Sequence, residues 1–265
     1  MKRFIINIEG ADGVGKSTIA QGLVERIRQD FPSLCQDYPI LQGLKEYATD
    51  AESICEYQHY PDYDTPIGQM ISAYQYGGIM GDPTVSDPYI AGILYTADRI
   101  TNRYHYSKSK LPVFTVNDRS YLSNFLYQGA KIIRDKGNLQ EYVDVQEKIE
   151  PFYLLDSAHL INIYIRFPYD LNTLDNKEEK DLLEQNSLYQ YYVSQMYKYL
   201  PAGEYSKSHG HPENYFPDKI ESTHYWVDTI VLEMSDSQEN LQKTIRENLD
   251  RIMRVINYYL IQYPK

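Results

Sequence analysis

A phosphate-binding loop near the start of the chain constrains the fold more than any other stretch. A glycine, four residues, a second glycine, a lysine and a hydroxyl side chain follow one another there, which is the complete motif. Apolar β-branched residues over 3–9 predict a buried strand before the loop, and apolar residues at helical spacing predict a helix over 15–30. The residues expected to hold the nucleotide phosphates are Gly10, Asp12, Gly13, Val14, Gly15, Lys16, Ser17 and Thr18.

The chemistry of this loop indicates ATP and Mg²⁺ as ligands. Glycines allow several backbone N–H groups to converge on phosphate oxygens, and the following helix directs its positive end at the same anion. Lys16 can reach the β- and γ-phosphates, and the Ser17 hydroxyl can bind Mg²⁺.

Composition excludes some partners. The net charge of −11 over 265 residues argues against a nucleic acid polymer as partner, because phosphate backbones require clustered Lys and Arg. No stretch approaches the ~20 apolar residues of a membrane span, so no membrane contact is expected. Cys35 and Cys55 lie in no metal or redox spacing, which favours a reducing, cytoplasmic location.

Strands and helices alternate along the chain, which predicts an α/β fold with a mostly parallel five-stranded sheet covered by helices on both faces. Pro32 is expected to end the first helix. We expect one domain of residues 1–265 with insertions at 33–50 and 201–224 and a charged flap at 170–186. The other predicted strands are 53–60, 113–116, 159–167 and 227–234. The other predicted helices are 65–76, 87–106, 120–135, 139–154, 188–200 and a last one after residue 236.

Asp118 and Arg119 follow an apolar strand and form a second candidate motif. Because the carboxyl ends of parallel strands meet at one edge of a sheet, both motifs should share a site. Asp118 could bind Mg²⁺ directly, bind it through water, or act as a base, and Arg119 supplies a cation. This combination suits phosphoryl transfer, although a structural Asp-Arg pair is the alternative.

Tyr95 and Arg99 are four residues apart and share one face of a predicted helix. The ring can stack on a nucleobase while the guanidinium donates to a base carbonyl. Asn124 can complete the edge contacts because its amide both donates and accepts. Ordinary helix packing is the alternative for the Tyr95–Arg99 pair.

Four blocks of the sequence resemble thymidylate kinases in order and spacing. They are residues 4–18, Thr65-Pro66-Ile67-Gly68, Leu94-Tyr95-Thr96-Ala97-Asp98-Arg99 and residues 118–130. The resemblance implies a three-layer P-loop NTPase fold and Mg²⁺-dependent transfer of the ATP γ-phosphate to dTMP, which gives dTDP. ATP and dTMP would be the partners, and a homodimer is left open.

The resemblance also implies roles for individual residues. Lys16 and the loop amides would hold the ATP phosphates, with Lys16, Asp118 and Arg119 as the catalytic set and Ser17 and Asp118 at the metal. Asp12 would contact the sugar 3′-hydroxyl, Arg119 would contact the acceptor phosphate, and Tyr127 would lie at the 2′ position. The base would be contacted by Tyr95, Arg99, Ser123 and Asn124.

Three departures from the family pattern leave alternatives open. The stretch 60–64 lacks the usual arginine before the Thr-Pro-Ile-Gly block, Ser120 replaces a tyrosine, and the flap contains Lys177 and Lys180 but no arginine. Asp118-Arg119-Ser120 also resembles deoxynucleoside kinases, which would need a carboxylate base, with Glu56 as the nearest candidate. A nucleotide-binding regulatory protein with weak turnover is the third possibility.

Overall fold

A five-stranded sheet lies at the centre of the computed structural model, which describes residues 3–106, 112–150, 158–166, 180–209, 224–231 and 238–263. Every pairing between the described strands is parallel, and the strand order is β2-β3-β1-β4-β5. The strands are β1 (Arg3–Gly10), β2 (Cys55–His59), β3 (Phe114–Asp118), β4 (Ala158–Arg166) and β5 (Asp228–Val231).

Helices cover both faces of the sheet. The apolar core on one face joins β1 to the first and last helices, and the core on the other face is formed by helices that follow β3 and β4. This three-layer arrangement confirms the predicted fold class. The helices are α1 (Lys16–Asp37), α2 (Pro39–Gln42), α3 (Ala51–Ile54), α4 (Pro66–Gln75), α5 (Pro88–Tyr106), α6 (Tyr121–Arg134), α7 (Leu139–Ile149), α8 (Leu182–Gln185), α9 (Ser187–Met196), α10 (Glu204–Ser208) and α11 (Gln238–Gln262).

A row of asparagines crosses the middle of the sheet. Asn117, Asn7 and Asn162 are in register on β3, β1 and β4. The Asn117 amide donates to Asn7 Oδ1, and the Asn7 amide donates to Asn162 Oδ1, both over 2.7 Å. Asn162 in turn donates to the hydroxyl of Tyr121 at the start of α6. The row therefore connects three strands to the helix that carries much of the candidate site.

The expectation that Pro32 ends the first helix is wrong, because α1 continues to Asp37. Pro32 itself is exposed, whereas Phe31, Leu34 and Cys35 are buried in the core. Burial of these side chains outweighs the backbone hydrogen bond that proline cannot donate. Part of the stretch 33–50 is thus a continuation of a core helix.

Other predicted element boundaries differ from the observed ones by a few residues or lie outside the described residues. The first part of 201–224 contains α10 and a buried Ser206, where a surface loop was expected. Residues 210–223, most of the flap at 170–186, the end of the 139–154 helix and the end of the last strand lie outside the described residues. Among the helices that are described, none has the length and apolar character needed to cross a bilayer.

We predict that Pro32→Ala stabilises the protein. Alanine restores an N–H that can donate to the carbonyl of Arg28, and it removes the clash of the proline ring. The greater conformational entropy of the unfolded alanine variant partly offsets this gain in stability. The expected net increase in the free energy of unfolding is about 1–3 kcal/mol, measured by urea unfolding. Ser33→Ala, at the next exposed position of α1, is the control and should change stability by less than about 0.5 kcal/mol. Equal stability of the two variants would contradict the prediction.

Candidate active site

A cavity of about 290 Å³ opens at the edge of the sheet where β1, β2 and β3 end. Although only two of the eight phosphate-loop residues line it, it brings together predicted site residues from both motifs and from α5. Those that line it are Asp12, Ser17, Tyr95, Arg99, Asp118, Arg119, Ser123, Asn124 and Tyr127. Lining residues that the sequence did not single out for a site are His59, Tyr60, Pro61, Tyr63, Gln75, Asp98, Ser120, Gln128, Asp181, Leu183 and Glu184.

The phosphate loop connects β1 to α1 at one end of the cavity. Gly13 and Gly15 have φ angles of 78° and 81°, a conformation that side chains with a Cβ disfavour. Lys16 is buried, and its Nζ donates to the carbonyl of Ala11 over 2.8 Å and lies 3.6 Å from Asp12 Oδ1. Burial, and secondarily repulsion by Arg119, lowers the pKa of Lys16 to about 8. An incoming phosphate would supply the negative charge that favours its protonated form.

Ser17 and Asp118 form a pair of oxygen groups suited to Mg²⁺. The Ser17 hydroxyl donates to Asp118 Oδ2 over 2.5 Å, and the Tyr57 hydroxyl donates to the same oxygen over 3.2 Å. Mg²⁺ is typically held by one or two protein oxygens together with water and substrate phosphates. The hydroxyl and carboxylate therefore fit the predicted metal, which would bind beside the phosphate loop.

Arg119 lies between the phosphate loop and α6. Its φ of 69° is unusual for a residue with a Cβ, and its N–H donates to the carbonyl of Ile8, which extends the β1–β3 ladder by one residue. Its guanidinium forms an ion pair with Asp12, whose other carboxylate oxygen accepts a 2.5 Å bond from the Tyr127 hydroxyl. Arg119, Asp12 and Tyr127 thus form one cluster, in which Asp12 balances the arginine charge.

Glu9 is a buried carboxylate that the sequence analysis missed. Its Oε1 accepts hydrogen bonds from the backbone N–H groups of Ser120 and Ser123, over 2.7 and 3.1 Å, and from the Ser120 hydroxyl. Its Oε2 accepts from the Ser123 hydroxyl over 2.8 Å. Ser123, expected at the base edge, therefore directs its hydroxyl towards Glu9. A charged residue at the end of a mostly apolar strand, directly before the phosphate loop, was the available signal.

Tyr95 and Arg99 lie on α5 and line the same cavity. Tyr95 is half-buried, and its hydroxyl accepts from Gln75. Arg99 is buried and donates through Nε and Nη2 to the two carboxylate oxygens of Glu150, over 2.9 and 2.6 Å. Its Nη1 makes no hydrogen bond within the described residues. The guanidinium is therefore fixed by a bidentate pair that leaves one nitrogen available to a ligand.

Asn124 and Gln128 lie one turn apart on α6 and complete this wall. Asn124 Nδ2 donates to the carbonyl of Gly92 over 3.0 Å and to Gln146 Oε1 over 2.9 Å. Both amide hydrogens are thus used, and only Oδ1 stays without a partner in the described chain. The expectation that this amide also donates to a ligand does not match that geometry. Gln128 is fully buried and neither of its amide atoms has a partner there, which makes it a further candidate ligand residue.

The end of β2 holds no carboxylate of the kind that the deoxynucleoside kinase alternative needs. Glu56 lies within β2, opposite Thr115, whereas His59 is the residue opposite Asp118 at the cavity edge. Tyr63 lines the cavity in the stretch that lacks an arginine, and its hydroxyl donates to Gln75. From the predicted flap, α8 and the residue before it contribute Asp181, Leu183 and Glu184 to the lining, while Lys177 lies outside the described residues.

We predict that Glu150→Gln destabilises the protein because it leaves the Arg99 charge buried without a counter-charge. Breaking such a pair costs about 3–5 kcal/mol of unfolding free energy, measured by urea unfolding. Glu147→Gln, in the last turn of α7 just before Glu150, is the matched control, since Glu147 is only half-buried and lies 3.8 Å from His224. Its cost should be about 1 kcal/mol or less. Similar costs for the two variants would show that the Arg99–Glu150 pair is not a distinctive constraint.

Comparisons with known proteins agree with this architecture. No family model and no curated protein sequence matches the chain. Among solved structures, the thymidylate kinase of Candida albicans is similar with a TM-score of 0.54 and 16% identity, over 97% of this chain and 92% of that one. The thymidylate kinase of Ehrlichia chaffeensis is similar with a TM-score of 0.53 and 14% identity, over 97% of this chain and 100% of that one. At these identities the likeness shows that the chain has the fold of thymidylate kinases.

Proposed function

We propose that the protein is a nucleoside monophosphate kinase that transfers the γ-phosphate of ATP to dTMP and forms ADP and dTDP. One observation carries this proposal: the same cavity is lined by Ser17 of the phosphate loop and Asp118 at the end of β3, which are hydrogen-bonded to each other, and by Tyr95, Arg99 and Asn124, which could hold a base. A phosphate donor and a nucleotide acceptor could therefore meet within it.

At the donor end, Lys16 and the loop N–H groups would hold the ATP phosphates. An oxygen of the acceptor phosphate would attack the γ-phosphorus, and the bond to the oxygen bridging the β- and γ-phosphorus would break. Arg119 would hold the acceptor phosphate and offset the charge on the transferring group. Ser17 and Asp118 would hold Mg²⁺, which would neutralise phosphate charge when bound.

At the acceptor end, the hydrogen-bonding groups match the edge of thymine. Arg99 offers a donor through Nη1, and Asn124 offers an acceptor through Oδ1. Thymine presents an acceptor at O4 beside a donor at N3, whereas cytosine presents a donor beside an acceptor. Tyr95 would stack on the ring, and Gln128 would contact the same edge. This pairing supports dTMP over dCMP as the acceptor.

The sugar would lie between the base wall and the phosphates. Asp12 would accept a hydrogen bond from the 3′-hydroxyl, and Tyr127, which donates to Asp12, would occupy space near the 2′ carbon. A deoxyribose is therefore the proposed sugar.

The other two readings have less support. His59, and not Glu56, lies at the end of β2, so the carboxylate base that a nucleoside kinase would need is not found at that strand end. A regulatory protein that binds ATP without turnover would not need the further lining residues Tyr95, Arg99 and Asn124, which could hold an acceptor. A cytoplasmic location is also proposed, on the basis of the buried, unpaired Cys35 and Cys55.

An acceptor panel tests the proposal. ADP formation from ATP and Mg²⁺ should require dTMP and should not occur with thymidine, and Lys16→Ala should lower the rate at least about 100-fold while the protein stays folded. The Candida albicans enzyme has broad substrate specificity, so the panel should include dUMP, dCMP and dGMP. Phosphorylation of thymidine without activity on dTMP would favour the nucleoside kinase. ATP binding without turnover on any acceptor would favour the regulatory protein.

We further propose a homodimer that forms through α5. Ile90, Ile93 and Ile100 are 55%, 54% and 39% exposed and recur at helical spacing along that helix. An isologous contact would bury this stripe against its copy. Sedimentation should show a dimer for the wild type and a monomer for Ile93→Glu, with Ile261→Glu on α11 as the exposed control. A wild-type monomer, or a dimer unaffected by Ile93→Glu, would contradict the proposal.

A further inference from the structure

We propose that Gln146 is a positioning residue that sets the selectivity of the acceptor site, because it takes the second hydrogen of the Asn124 amide and leaves that amide only an acceptor for the base. Gln146 lies on α7, behind the cavity wall, and is not among the residues that line the cavity. This inference rests on the proposed nucleoside monophosphate kinase function and concerns how that site distinguishes pyrimidines.

The orientation of the Asn124 amide follows from a backbone group. The carbonyl oxygen of Gly92 can only accept a hydrogen bond, so the Asn124 atom 3.0 Å away from it must be the nitrogen. The Gln146 atom 2.9 Å from that same nitrogen must then be an acceptor, which is Oε1. The Gly92 carbonyl therefore determines the orientation of the Asn124 amide, and that amide in turn determines the orientation of the Gln146 amide.

Two contacts on one NH₂ group leave Asn124 with no free donor. The Gly92 carbonyl takes one hydrogen and Gln146 takes the other, while Oδ1 stays buried and without a partner in the described structure. An N–H on the base satisfies Oδ1, whereas an unprotonated ring nitrogen meets an oxygen and repels it. Without Gln146, that hydrogen loses its partner, and rotation of the Asn124 amide can offer it to an acceptor such as N3 of cytosine.

Gly92 also explains why Gln146 can reach this position. A Cβ on Gly92 would lie 2.6 Å from Gln146 Nε2 and 3.1 Å from the Tyr142 hydroxyl. Separations this short require the glutamine amide to move. Gly92 lies in the second turn of α5, where a glycine costs helix propensity, and it provides the space in which Gln146 contacts Asn124.

Three variants separate this positioning role from general packing. Gln146→Met keeps the length of the side chain and removes the acceptor. Gly92→Ala keeps the Gln146 side chain but displaces it. Because alanine has a higher helix propensity than glycine, this variant can replace Gln146→Met in the test if that protein does not fold. Tyr142→Phe is the matched control, since it removes a buried hydroxyl from the same face of α7 that has no partner in the described chain.

The experiment measures dissociation constants by calorimetry and kcat/KM for dTMP, dUMP and dCMP, together with the KM for ATP. Gln146→Met and Gly92→Ala should lower the dTMP-to-dCMP preference by about 2- to 12-fold, the value of one hydrogen bond. The dTMP-to-dUMP ratio should not change, because both bases present the same N3–H and O4 edge. The KM for ATP and all ratios for Tyr142→Phe should remain those of the wild type.

The possible failures are distinguishable. A wild type that prefers dTMP, together with folded Gln146→Met and Gly92→Ala proteins that keep the same preference, overturns the role of Gln146 and leaves the proposed function intact. Equal losses for dTMP and dCMP show a packing role and also overturn it. A wild type that binds none of the three monophosphates overturns the proposed function, and this inference with it.

Discussion

The carboxylate of Glu9 holds the two halves of the candidate site in a fixed relation. It lies at the end of β1, directly before the phosphate loop, and accepts hydrogen bonds from Ser120 and Ser123 at the start of α6. The donor phosphates would sit on the residues that follow Glu9, and the acceptor would contact side chains on α6. A carboxylate is also favourable at the positive end of that helix, although burial raises the pKa of Glu9.

The two arginines of the cavity are each paired with a carboxylate inside the protein. Arg119 contacts Asp12, and Arg99 contacts Glu150. Neither pair therefore presents a bare positive charge to the cavity, and each guanidinium is held in one geometry by its partner. This part of the cavity would discriminate between ligands by the positions of their hydrogen-bonding groups more than by their net charge, which suits a neutral base near Arg99.

The sequence predicted what depends on local pattern. The phosphate loop, the strand before it and the helix after it are contiguous, and the parallel sheet follows from alternating strands and helices; these expectations are confirmed in the fold. The end of α1 was predicted wrongly, because burial of Leu34 and Cys35 against distant residues decides whether a helix passes Pro32. Partners brought together only by the fold were not predictable, as Gln146 is 22 residues from Asn124 and Glu150 is 51 residues from Arg99. The roles of the individual site residues stay predictions.

The asparagine row across β3, β1 and β4 has a consequence for how the sheet assembles. Its members are 110 and 155 residues apart in sequence, so the amides find each other only after distant strands have paired. A slip of one residue would turn a strand's asparagine towards the apolar face beneath α1 and α11, where an unpaired amide costs about 1–3 kcal/mol. The correctly aligned sheet is thus lower in free energy than a sheet misaligned by one residue, and the asparagine row favours the native register.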